Sequence, residues 1–120
     1  MQAKTKLILI ADDYDHAAML LADLLAHATE FDAVATKDGR EALEQAALRR
    51  PDVALLDIDM PEIDGIETAR RLRATFGESR PLLIAMTGRA PDEAKLSGMF
   101  DHVLAKPFDI AMLLSLLGQG

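Results

Sequence analysis

A chain of 120 residues, half of them apolar, can bury a core and is too apolar to be disordered. Its net charge of −7 repels phosphate backbones, so this domain alone is expected to bind no nucleic acid. The absence of cysteine excludes disulfides and thiolate metal sites, and no apolar run approaches the roughly 20 residues of a membrane span. No membrane association is expected, and a cytoplasmic location is.

Leu7-Ile8-Leu9-Ile10-Ala11 is a continuous apolar run, read as a first strand rather than a signal peptide because Asp12-Asp13 follows at once. A first helix is predicted from Asp15 to Ala28. Ala17, Leu20, Leu21, Leu24 and Ala28 keep the spacing of a core face, with His16, Asp23 and His27 on another. Met19, Ala22 and Leu25 make this helix more apolar than one buried face requires, through tighter packing or through a surface for a partner. Phe31 to Thr36 reads as a second strand. Asp38-Gly39 opens a second helix, which ends at Arg49-Arg50 before Pro51.

Val53-Ala54-Leu55-Leu56-Asp57 is a third strand with no alternation, as in a strand covered on both faces, and Met60-Pro61 follows it. Asp64 is a predicted cap for a third helix, with Glu67 in the capping-box position and Gly77 as the stop. Pro81 to Met86 is a fourth strand ending in Thr87-Gly88. Pro91 starts and Gly98 stops a fourth helix of only about two turns. His102 to Ala105 is a short fifth strand ending in Lys106-Pro107, and Asp109 caps a last helix to Leu117. The basic groups Arg49-Arg50 and Arg70-Arg71-Arg73 are expected on helix ends and outer faces as solvated charge. Strands alternating with helices predict an α/β, flavodoxin-like (βα)5 sandwich. Its parallel five-stranded sheet has the order 2-1-3-4-5, with helices on both faces, as one domain over residues 1–120.

In that order, four strand ends bring polar residues to one edge: Asp12-Asp13, Asp57, Thr87 and Lys106. Each has a plain alternative, Asp13 as a helix cap, Thr87 as a turn residue, Lys106 as a surface amine. Together they supply what phosphoryl chemistry needs. Asp57 is a carboxylate able to form an acyl phosphate. Three Asp side chains would repel an anionic phosphoryl group unless a hard divalent cation joined them, and an oxygen-only site suits Mg²⁺, with Mn²⁺ as a substitute. Lys106 and the Thr87 hydroxyl can each meet a phosphoryl oxygen.

These residues resemble the receiver domain of two-component response regulators, the CheY-like fold. The resemblance rests on Asp12-Asp13, the run from Leu55 to Pro61 with Asp64-Gly65, Met86-Thr87-Gly88, and Lys106-Pro107-Phe108, and spans about residues 7 to 117. It implies Asp57 as phosphoacceptor, Asp13 as a direct Mg²⁺ ligand, Asp12 acting through bound water, and the backbone carbonyl of Asp59 as a further ligand. It implies a histidine kinase or histidine phosphotransfer protein as donor, docking near the first helix, and self-catalysed phosphorylation and dephosphorylation without turnover of an external substrate. The receiver stands alone or within a hybrid kinase or longer regulator.

Three positions depart from the family pattern. Val103 stands where receivers commonly carry a switch aromatic. The stretch from Thr87 to Lys106 is about one helical turn short, so residues 88 to 98 are expected to switch by ordering and disordering. Asp59 and Arg89 flank the site and are expected to tune hydrolysis of the phosphoaspartate. Seven of the nine residues from Asp109 to Leu117 are apolar, which points to a second copy or a neighbouring domain on the last helix. The competing readings are a pseudo-receiver that binds partners without taking phosphate, and a haloacid-dehalogenase-type phosphatase using Asp57-Ile58-Asp59.

Overall fold

The computed structural model describes residues 4–14, 16–88 and 91–118. The elements are β1 (Lys6–Ala11), α1 (Ala17–Ala28), β2 (Phe31–Thr36), α2 (Gly39–Leu48), β3 (Val53–Asp57), α3 (Gly65–Phe76), β4 (Leu82–Thr87), α4 (Pro91–Ser97), β5 (His102–Ala105) and α5 (Ile110–Leu116), with a 3₁₀ turn at Gly77–Ser79. All pairings are parallel, in the order β2-β1-β3-β4-β5, as the alternating pattern predicts.

Successive strand residues face opposite sides of a sheet, so each central strand feeds two cores. Ile8, Ile10, Leu55, Ile84 and Met86 meet Ala18, Ala22 and Leu25 of α1 and Leu113 of α5. Leu9, Ala54, Leu56 and Leu83 meet Ala42 and Ala46 of α2 and Ala69 and Leu72 of α3. A smaller third cluster joins Ile58 and Ala85 to Ala94 of α4. Burial on both faces explains why β1, β3 and β4 read as unbroken apolar runs.

The predicted caps are present. Asp38, Asp64 and Asp109 accept from the backbone N–H groups of Glu41, Glu67 and Ala111 at 2.8, 2.8 and 3.0 Å. The Glu67 side chain, however, does not reach back to complete a capping box. It accepts from Arg70 Nε at 2.9 Å and Arg71 Nε at 2.8 Å, because partners three and four residues ahead lie on its own helix face. Gly65 has no room for a side chain. A Cβ there would lie 2.3 Å from the Asp57 carbonyl oxygen, so α3 starts directly against the end of β3.

One expectation for the helices is corrected. Of the expected core face of α1, Leu21 packs partly buried against the core, but the buried residues are Ala18, Ala22 and Leu25, not Ala17, Leu20, Leu24 and Ala28. Leu20 is 69% exposed and Leu24 40%. The helix is apolar enough to carry two overlapping periodic patterns, and the one containing two alanines lets the backbone approach the sheet closely. Asp15, the predicted start, lies outside the described residues, and the helix begins at Ala17 after His16, whose backbone is left-handed at φ 58°. On the last helix, the chain itself covers most of the apolar side chains: Leu113 and Leu117 are buried, and Ile110, Leu114 and Leu116 are packed partly buried against the same core. Ala111 and Met112 remain exposed, Met112 at 56%.

Candidate functional site

The sheet register builds the site. Ala11 pairs with Leu56, so Asp12 emerges beside Asp57. Asp57 pairs with Met86 and Thr87 with Ala105, so Thr87 and Lys106 emerge on the other side. The Lys106 N–H donates to the Thr87 carbonyl at 2.7 Å, which fixes where the lysine leaves the strand. All four strand ends therefore converge, as the strand order requires.

Asp57 is only 6% exposed, Asp12 equally so, and Thr87 is fully buried. Lys106 Nζ lies 2.9 Å from Asp12 Oδ2 and 3.2 Å from Asp57 Oδ2, one ammonium between two carboxylates. The other oxygens are held by backbone. Asp57 Oδ1 accepts from the Asp59 N–H at 3.2 Å, and Asp12 Oδ1 from the Tyr14 N–H at 2.9 Å. Asp13 is exposed at the mouth. It does not cap α1, whose capping residue is His16.

Burial pushes the Asp57 carboxyl up to about 6, helped by its hydrogen bond with Asp12 and opposed by the Lys106 charge. Burial works against the Lys106 ammonium as well. The hydrogen bond and charge of Asp12 and the charge of Asp57 outweigh it and hold the lysine above its usual value.

Carboxylate oxygens of Asp12, Asp13 and Asp57 lie within 4.8 Å of one another. A hard cation with ligands at about 2.0–2.1 Å gathers oxygens over a comparable span. The donor set is oxygen only, and Asp13 is open to water, which Mg²⁺ keeps among its ligands. The residues thus fit the ion that the sequence called for. Asp59 is exposed beside them, and its carboxylate is not part of the cluster. Arg89 lies outside the described residues, and with it part of the segment 88 to 98. Val103 is half-buried against the cluster of Ile58, Ala85 and Ala94, with Ile66 and Phe100.

Sequence reasoning missed two features around this site. A hollow of about 810 Å³ runs from Asp57, Asp59 and Lys106 between α1 and α5, along Leu20, Leu24, Phe108 and Ile110. Tyr14 stands on its wall and also borders a second hollow of about 370 Å³ on the far side of the acidic pair. The available signal was an aromatic residue directly after Asp12-Asp13, where no core face needed one.

The response regulator receiver domain model matches residues 8–117. The chain belongs to the response regulator receiver domain family. Response regulator MprA from Mycolicibacterium vanbaalenii is 42% identical over 82 residues, covering 66% of this chain and 35% of that protein. The chain spans about a third or less of the length of the first curated relatives it matches. A CheY-like receiver domain structure from Methylobacillus flagellatus has a TM-score of 0.82 and 32% identity, covering 94% of this chain and 96% of that one. Response regulator protein TrrA from Thermotoga maritima, in complex with Mg(2+)-BeF, has a TM-score of 0.83 and 27% identity, covering 96% and 98%. This receiver is therefore a two-component signalling domain. Neither the pseudo-receiver nor the phosphatase reading is favoured by these relatives. Among its described residues, no helix is long and apolar enough to cross a membrane.

Proposed function

We propose that this receiver takes a phosphoryl group onto Asp57 from a phosphohistidine donor and signals through the resulting aspartyl phosphate. The observation that carries the reading is the buried Asp57 carboxylate, with Lys106 Nζ at 3.2 Å and two further carboxylates alongside. An Asp57 oxygen forms the new O–P bond as the donor's N–P bond breaks, and the electron pair stays on the departing ring nitrogen. Lys106, already between Asp12 and Asp57, swings its charge onto a phosphoryl oxygen. The Thr87 hydroxyl donates to another. Asp12, Asp13, Asp57 and the Asp59 carbonyl would hold Mg²⁺, or Mn²⁺ in its place, Asp13 directly and Asp12 through water. The bound ion supplies the positive charge that lets an anion approach three carboxylates.

The donor is a histidine kinase or histidine phosphotransfer protein. Exposed Leu20 and Leu24, beside the 810 Å³ hollow that opens onto Asp57, offer it an apolar landing next to the acceptor. No external substrate is turned over, and the domain works in the cytoplasm. Asp59 and Arg89 set how water reaches the adduct. Val103 has no ring to move, so the state of Asp57 passes to α4 through Ile58, which packs on Ala94. The test is transfer from a panel of labelled phosphohistidine kinases and transfer proteins. At least one donor is expected to pass its label to this chain, in base-labile form, and the label should vanish in Asp57→Asn. A label that survives that substitution, or transfer from no donor, would refute the reading.

A further inference from the structure

The chain has five aromatic residues, four phenylalanines and Tyr14. Phe31 and Phe108 pack into the core under α1 and α5, and Phe76 and Phe100 pack into the core on the other face. Tyr14 belongs to no apolar cluster and is 74% exposed. A large ring left in water normally reflects a mobile surface position, yet the backbone here is pinned on both sides. The Tyr14 N–H donates to Asp12 Oδ1 at 2.9 Å, and its carbonyl accepts from the Ala17 N–H at 3.0 Å. The ring is thus carried by the same carboxylate that Lys106 holds, at the wall of the hollow that contains Asp57, Asp59 and Lys106.

In an in-line displacement, the leaving group lies on the far side of phosphorus from the attacking oxygen. With Asp57 buried at the bottom of the site, that far side is the mouth, where Tyr14 stands. We propose that Tyr14 is a specificity residue for the leaving group: its ring receives the imidazole of a phosphohistidine donor as Asp57 takes the phosphoryl group. This rests on the phosphoacceptor reading of Asp57. The N–P bond breaks and the O–P bond to Asp57 forms. A ring protonated on its other nitrogen keeps the electron pair and leaves as neutral imidazole. Until then it is a planar cation, which an aromatic face attracts by stacking and by its quadrupole. An acyl phosphate donor presents no ring and gains nothing from that face.

The full chain, with Mg²⁺, is loaded from monophosphoimidazole and, separately, from acetyl phosphate, and the two rate constants are compared as a ratio. In Tyr14→Ala the imidazole-to-acetyl ratio is expected to fall about 3- to 10-fold. Tyr14→Phe, which keeps the ring, should hold the ratio within about twofold of the parent. An unaltered ratio in Tyr14→Ala would overturn the proposal, as would equal slowing with both donors, which would mark Tyr14 as a support for Asp12. A loss in Tyr14→Phe as large as in Tyr14→Ala would assign the effect to the hydroxyl and overturn it too. A parent protein that loads from neither donor would instead bring down the phosphoacceptor reading itself.

Discussion

Lys106→Met is expected to slow phosphoryl loading from acetyl phosphate about a hundredfold at pH 7, the scale of losing one well-placed charge-stabilising donor. Two effects act in the same direction. The ammonium 3.2 Å from Asp57 Oδ2 is lost to the transferring group. Before the cation binds, the same charge also holds the Asp57 pKa down against burial, so without it more of the acceptor is protonated where the cation is scarce. The two can be separated by pH. Raising the pH to 8.5 should recover the part caused by protonation and leave the part caused by missing charge. Initial rates at a fixed, subsaturating Mg²⁺ concentration decide it. A variant that loads as fast as the parent at both pH values would show that Lys106 has no part in the transfer.

Asp57→Asn is expected to make the metal-free protein more stable at pH 7.5, by on the order of 1–3 kcal/mol. The sign follows from where the proton sits. The carboxyl titrates near 6 in the folded chain and at an ordinary 3.8 when exposed. Between those values the folded state binds a proton that the unfolded state has released, so stability is highest below about pH 4 and is lost as the pH rises through 6. Above that, the folded protein carries a desolvated charge that asparagine does not. The advantage of the variant should therefore shrink to nothing near pH 4. Urea unfolding in EDTA at pH 4, 5, 6 and 7.5 measures it. A parent as stable as the variant at pH 7.5 would mean that Asp57 is not strained by its surroundings. In the parent Lys106 also lies 2.9 Å from Asp12 Oδ2, a partner that the substitution does not remove.

What the sequence disclosed, and what it hid, divides along a physical line. The strands were legible because burial on both faces forces unbroken apolar runs such as Val53 to Leu56, and because Pro61 and Gly88 punctuate them. Strand order then dictated that Asp12, Asp57, Thr87 and Lys106 meet, and the register confirms the meeting. The rotation of α1 was not legible. A helix with apolar residues at most positions from Ala17 to Leu25 does not declare which stripe faces the sheet, and the closer-packing alanines prevail. Part of the apolar character of α5 has a plain origin in the fold, because Ile110, Leu113, Leu114, Leu116 and Leu117 pack over the sheet beside α1. Glu67 was read as a cap partner and instead pairs with the arginines on its own helix. Tyr14 escaped notice because its setting, a pinned loop beside a hollow, exists only once the chain is folded.

The most direct measurement is the intact mass of the protein after incubation with acetyl phosphate and Mg²⁺. One phosphoryl increment is predicted on the parent, absent without the divalent cation, absent in Asp57→Asn, and removed by mild base. A parent whose mass stays unaltered, or an increment that Asp57→Asn carries equally, would contradict the account.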